Sequence, residues 1–145
     1  MKIKLATLIW ILMLSIPIGF VISTFIYSKG YSYLSDAPEA CGNCHIMNDH
    51  LYSYQKSSHH TGAVCNSCHT PSGFFGKYIT KAINGWAHGY AFTTGDYAWP
   101  LQIKGFNKAI TNKSCLKCHT GIIHTTRAVR EFDCIHCHSD VGHLR

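Results

Sequence analysis

Between Leu5 and Tyr27 the 145-residue chain has no Asp, Glu, Lys or Arg, and charged residues make up only 14% of the whole. A run of 23 residues without charge has little to hold it in water. As a helix it would be about 34 Å long at ~1.5 Å per residue, enough to cross a hydrocarbon core of ~30 Å. The run is longer than the ~7–15 residues of a signal-peptide core, and no Ala-x-Ala follows it, so an uncleaved anchor over residues 1–27 is expected rather than a leader. Pro17 and Gly19 are tolerated in such a span. Acidic residues are scarce as well, 7 against 13 Lys and Arg. The chain nevertheless lacks any aromatic-plus-basic surface of the kind that reads bases, so the basic balance does not imply nucleic acid. No stretch of any length alternates as a strand does. That leaves a mainly α chain with much irregular structure.

No cysteine stands alone. All eight fall in Cys-x-x-Cys-His: Cys41, Cys44 and His45; Cys65, Cys68 and His69; Cys115, Cys118 and His119; Cys134, Cys137 and His138. Paired Cys-x-x-Cys knuckles can hold zinc, but zinc does not need a histidine beside each knuckle. Cys-x-x-Cys-His is the attachment unit of c-type haem. Two thiols bond to the porphyrin, and the adjacent imidazole serves the iron as an axial ligand. Four copies with nothing left over imply four covalently bound haems. Only the first unit has a methionine two places after its histidine, Met47, a soft potential ligand.

Lys2, Lys4 and the amino terminus outweigh Lys29 across the anchor, so the N-terminus is expected in the cytoplasm and the rest exported to the periplasm. This places the chain in the inner membrane of a bacterium as a single-pass protein. Tyr27, Tyr31 and Tyr33 suit an interfacial aromatic belt. Residues 28–40 read as a linker broken by Gly30 and Pro38, and residues 41–145 as a compact tetrahaem domain. Such a body has a radius of gyration of only ~13 Å, so the macrocycles must lie close together, form much of the core and make an electron wire.

Between the first pair of units and the second, "FFGKYITKAINGWAHGYAF" (residues 74–92) places apolar residues at 74, 75, 78, 79, 82, 83, 86, 87, 90 and 91. That is helical periodicity. Lys77, Lys81, Asn84 and His88 line the opposite stripe. The helix suits the membrane interface, or equally a core position against haem. The residues from "TTGDYAWP" up to Ser114 read as loop.

Seven further histidines, His50, His59, His60, His88, His124, His136 and His143, suit bis-histidine ligation. His60 and His143 stand out by position, five residues before Cys65 and five after His138 respectively. His59 is an alternative to His60. His136 lies inside a unit, and His50 and His124 fit surface or propionate contacts.

The anchor, the four units, "CHIM", "SHHTGAVCNSCHTP" and "CIHCHSDVGH" together closely resemble the NapC/NirT family of quinol dehydrogenases over essentially the whole chain. The short length is most similar to the small tetrahaem subunit of the cytochrome c nitrite reductase complex. The resemblance implies Met47 rather than His45 as the first iron's ligand, although an ordinary His45-ligated haem with Met47 packed nearby is the alternative. It implies His60 and His143 as distal ligands of the fourth and third haems, and Lys81 at the quinol site. Where that subunit has an Asp seven residues after the Lys, this chain has His88, read here as a proton acceptor or as a haem ligand. The implied activity is oxidation of menaquinol, with electrons passed within a hetero-oligomer to a periplasmic multihaem reductase. Cytochrome c nitrite reductase is the expected partner, with another periplasmic reductase or a passive carrier role as alternatives. Catalytic haems of the large subunit resemble Cys-x-x-Cys-Lys, which this chain lacks, so it is not expected to be the terminal reductase.

Overall fold

The computed structural model describes residues 4–123 and 133–143. Lys2 and His124 lie outside the described residues. The chain divides into two compact units, Met1–Ser35 and Asp36–Arg145.

In the first unit, α1 (Leu5–Tyr27) takes up the whole uncharged run. Every described residue of it is exposed, and it is long and apolar enough to cross a membrane. Lys29 then adopts a left-handed conformation (φ 52°) and the chain tightens into a 3-10 turn, Gly30–Leu34. Gly30 is required there, because a Cβ would stand 2.4 Å from the Phe25 ring.

The second unit contains α2 (Pro38–Cys41), a 3-10 turn (His45–Met47), α3 (Asn48–Gln55), α4 (Cys65–His69), α5 (Phe74–Thr94), α6 (Gly105–Ile123) and α7 (Cys134–Cys137). No strand occurs among the described residues. Pro38 occupies the first turn of α2, where its missing N–H costs nothing. The helix expected over residues 74–92 runs to Thr94, where Gly95 in the left-handed region (φ 71°) ends it. The loop expected up to Ser114 is corrected: residues 105–114 are the first half of α6. Asn107, Thr111 and Asn112 are weak helix formers, but each is tied by a hydrogen bond. Asn107 pairs with Asn84, Thr111 donates to its own helix, and Asn112 reaches Asp133.

Buried apolar side chains among the described residues come to just Tyr54 and Ile135, beside buried Thr70, Thr80, Lys81 and Ser114. Polar bonds also join the elements. The Tyr54 hydroxyl donates to the Ala63 carbonyl at 2.7 Å and closes the loop between α3 and α4. Lys117 on α6 donates to the Ser67 and Thr70 carbonyls at 3.0 and 2.7 Å, and Asn84 on α5 pairs amide to amide with Asn107 on α6 at 3.2 and 3.0 Å.

Candidate functional site

Cysteines three apart share one face of a helical turn, so each Cys-x-x-Cys offers both sulfurs to one side. The second unit forms α4, the fourth begins with α7, and the third lies within α6, whose geometry breaks at His119 (φ −100°, ψ 16°). The first unit straddles the end of α2 and the 3-10 turn that carries Met47. Met47 is half-buried there while His45 is exposed.

Neighbouring units touch in chain order. The Cys41 and Cys65 sulfurs come within hydrogen-bond reach of each other and join the first unit to the second. Between the second and third units run the Lys117 bonds described above, with Ser114 donating to the Thr70 carbonyl at 3.4 Å. Between the third and fourth, Asn112 bridges the Asp133 carboxylate (2.9 Å) and the Ile135 amide (3.2 Å), and Lys108 pairs with Asp133. The four units therefore follow one another in space as they do in the sequence.

The histidines come together in two groups. His69 and His143 stack with ring centroids 6.2 Å apart and planes 5° from parallel, and His50 meets His143 edge-on at 4.9 Å. His59 faces His119 at 6.1 Å and 56°. Desolvation, then the charges of His143 and His50, pull the His69 imidazole down to about 4, which leaves it neutral and able to bind iron. His60 is exposed and its ring leans on Tyr54 at 5.4 Å. The resemblance pairs His143 with the third haem, whereas the ring stacked on it is that of the second unit. His138 and His136 are exposed. Sequence reasoning set His50 at the surface or on a propionate, but it is half-buried and its buried Nδ1 has no hydrogen-bond partner. Its place three residues after Met47, in the first turn of α3, was the available signal.

These residues fit c-type haem. Each unit offers two thiols and an imidazole, and the His69 and His143 rings lie near one another beside the second unit. His50 presents a nitrogen in need of a partner. The scarcity of buried apolar side chains fits macrocycles as the expected core.

On α5 the polar stripe turns inward at Lys77, Lys81 and Asn84, while His88 is exposed. Lys81 is buried, with its Nζ 3.2 Å from Asp36 Oδ1; Asn66 donates to the same oxygen at 2.7 Å, and Lys77 pairs with Oδ2. Led by the Lys77 bond, these donors hold the Asp36 carboxyl down at about 2. His88 lies seven residues beyond Lys81 and on the same side. Desolvation, and after it the Lys104 charge, lowers its imidazole below the usual range. The opposite face stays open: Phe75, Ile79, Ile83, Trp86 and Tyr90 are all exposed, Trp86 by 81%. Asp36 escaped the sequence reading because it fell within the expected linker, 45 residues from its partner Lys81.

An apolar N-terminal helix followed by a domain that is helical and strandless among the described residues, with serial haem-attachment units, defines a membrane-anchored multihaem c-type cytochrome. Residues 1–104 match the NapC/NirT cytochrome c family, N-terminal region. The chain belongs to this family, and so carries covalently bound haem and a single-pass membrane anchor. It is 35% identical over 143 residues to the cytochrome c-type protein NrfH of Wolinella succinogenes, covering 89% of this chain and 81% of that protein. It is 33% identical over 119 residues to the cytochrome c nitrite reductase subunit NrfH of Nitratidesulfovibrio vulgaris, covering 80% and 72%. A solved structure of the cytochrome c nitrite reductase NrfHA complex bound to the HQNO inhibitor contains a chain that matches with a TM-score of 0.69 and 28% identity. That match covers 92% of this chain and 91% of the other.

Proposed function

We propose that this chain is the membrane-anchored, menaquinol-oxidising subunit of a cytochrome c nitrite reductase complex. It holds four haems, its N-terminus is cytoplasmic, and its haem domain passes electrons in the periplasm to the partner reductase. The observation that carries this reading is the match over 92% of the chain to a complex solved with HQNO, a quinol inhibitor.

Haem iron supplies one-electron transfer when bound. Cys41 and Cys44, Cys65 and Cys68, Cys115 and Cys118, and Cys134 and Cys137 hold the four groups. Met47, His69, His119 and His138, with His60 (or His59) and His143, would hold the irons. A thioether from Met47 would raise the potential of the group it holds relative to bis-histidine ligation, which would favour electron acceptance from a quinol. Oxidation of menaquinol to menaquinone releases two electrons and two protons, so the site must manage protons as well. Lys81 donates a hydrogen bond to a quinol oxygen. His88, held neutral by its lowered affinity for protons, accepts a proton and hands it to water. The open face of α5 rests on the lipid surface, where a lipid-soluble substrate arrives.

Purified full-length protein in liposomes, mixed with a menaquinol analogue, tests this. Lys81→Ala is expected to slow haem reduction by quinol at least tenfold, the typical scale of a lost catalytic hydrogen bond to a charged group. Reduction by dithionite should be unchanged. His88→Ala should behave likewise with unaltered haem spectra, and an altered spectrum would instead identify His88 as a haem ligand. Wild-type rates in both variants would move the quinol site elsewhere.

A further inference from the structure

We propose that Asp36 is a positioning residue for quinol oxidation: its carboxylate fixes the Lys81 ammonium in the place where it meets the quinol oxygen. The inference rests on the reading that Lys81 lines the quinol site, and it adds a residue that lies outside both the attachment units and α5.

A lysine head on a flexible four-carbon stem loses considerable rotamer entropy when it is held still. Lys81 is nonetheless buried, and a buried ammonium needs a fixed counter-charge. Asp36 Oδ1 is 3.2 Å from its Nζ. The carboxylate is itself pinned, because Asn66, between the cysteines of the second unit, donates to Oδ1 at 2.7 Å and Lys77 occupies Oδ2. Asp36 thus joins the entry to the first unit, the second unit and α5 through one side chain. An isolated ion pair on a 47% exposed carboxylate would be worth little, but three donors from two elements leave this group little freedom. The cluster of two ammonium groups and one carboxylate keeps a net charge of +1. Removing a proton from a quinol builds negative charge on its oxygen, and a positive cluster stabilises that charge. Because its carboxyl is held so low, Asp36 stays ionised near neutral pH. It therefore takes neither a proton nor an electron in the reaction.

The test compares full-length wild type, Asp36→Asn, Asp36→Glu, Lys81→Ala and the double variant Asp36→Asn/Lys81→Ala in liposomes with a menaquinol analogue. Asp36→Asn keeps the side-chain shape and is expected to lower kcat roughly three- to tenfold with little change in KM, the scale of one weakened charge-assisted hydrogen bond. Haem spectra and dithionite reduction should match wild type, Asp36→Glu should recover most of the rate, and the double variant should be no slower than Lys81→Ala alone. A wild-type rate in Asp36→Asn beside a slow Lys81→Ala would overturn the inference and leave the quinol-site reading intact. Additive losses in the double variant, or altered haem spectra in Asp36→Asn, would overturn it too, since Asp36 would then act independently of Lys81 or through the fold. A wild-type rate in Lys81→Ala would remove the quinol-site reading and this inference together.

Discussion

The two long helices, α1 with 23 residues and α5 with 21, expose apolar side chains in different ways. Around α1 every described residue is exposed, and the helix offers its surroundings no charged group that distinguishes one side from another. On α5 one face is apolar and open, while Lys77, Lys81 and Asn84 on the other are bonded to Asp36 and Asn107. A helix that is apolar all round is held by its solvent, and lipid serves at any rotation about its axis. A one-sided helix is held by particular partners, which fix its rotation. Only the second kind can aim a side chain, and for this reason the chemistry assigned to the site lies on α5.

The largest effect should follow from charging α1. Arginine at the centre of a spanning helix costs ~2.5–3.5 kcal/mol, so Leu12→Arg with Ile16→Arg together costs about 6 kcal/mol. The variant should be lost from the membrane fraction, as immunoblotting of separated membranes would show. The paired change Ile79→Arg and Ile83→Arg on α5 should leave the chain in the membrane. Equal loss from both would mean that the two helices are held in the same way.

Next in size is Trp86→Asp. This side chain is 81% exposed, so its replacement should leave folding stability within about 0.5 kcal/mol. If the ring rests in the interface, it contributes up to ~1.5–3 kcal/mol of apolar burial there. A several-fold rise in KM for the menaquinol analogue in liposomes is expected, with Tm unchanged. An unchanged KM would place the open face of α5 away from lipid.

These contrasts also mark how far the sequence could be read. The bounds of α1 were legible because absence of charge is a local property, and α5 because periodicity is. The attachment units were legible residue by residue, since the chemistry of haem attachment is written into adjacent positions. Periodicity divides a helix into two faces without naming what each one meets, so the inward turn of Lys81 and the open aromatic face became visible only in the structure. The first half of α6 was read as loop because Gly95 and Pro100 break the pattern before it; the bonds that hold it, from Asn107 to Asn84 on α5 and from Asn112 to Asp133 before α7, reach residues 20 or more positions away. Asp36 escaped for the same reason, as its partner Lys81 is 45 residues away.

A smaller effect is expected from Asn84→Ala. It leaves the Asn107 amide without its partner across α5 and α6, at a cost of about 1 kcal/mol. Calorimetry should show Tm lower by a few degrees, while dithionite reduction and haem spectra stay as they were. A stability loss as large as that of removing a core side chain would mean that the amide pair, more than the Asp36 cluster, fixes the rotation of α5.

The smallest effect is also the most specific. The Asp36 carboxyl is held at about 2 in the folded chain against an ordinary 3.8. A carboxyl with a depressed folded value stabilises the fold fully above its unfolded value, and that contribution fades as pH falls through the folded one. The stability that Asp36 contributes should therefore be constant above about pH 5 and disappear between roughly pH 4 and pH 2. With the side chain 47% exposed, solvent screens the pair and keeps the size modest. Asp133 is depressed in the same direction, chiefly by Lys108, so the acid limb of the wild type alone would not isolate Asp36. The difference in Tm between wild type and Asp36→Asn does isolate it, because Asp133 is common to both. That difference should shrink toward zero as the pH is lowered through this window. If it persists unchanged at the acid end, the Asp36 charge is not what holds Lys81 and Lys77 inward, and the fixed face of α5 must depend on Asn84 instead.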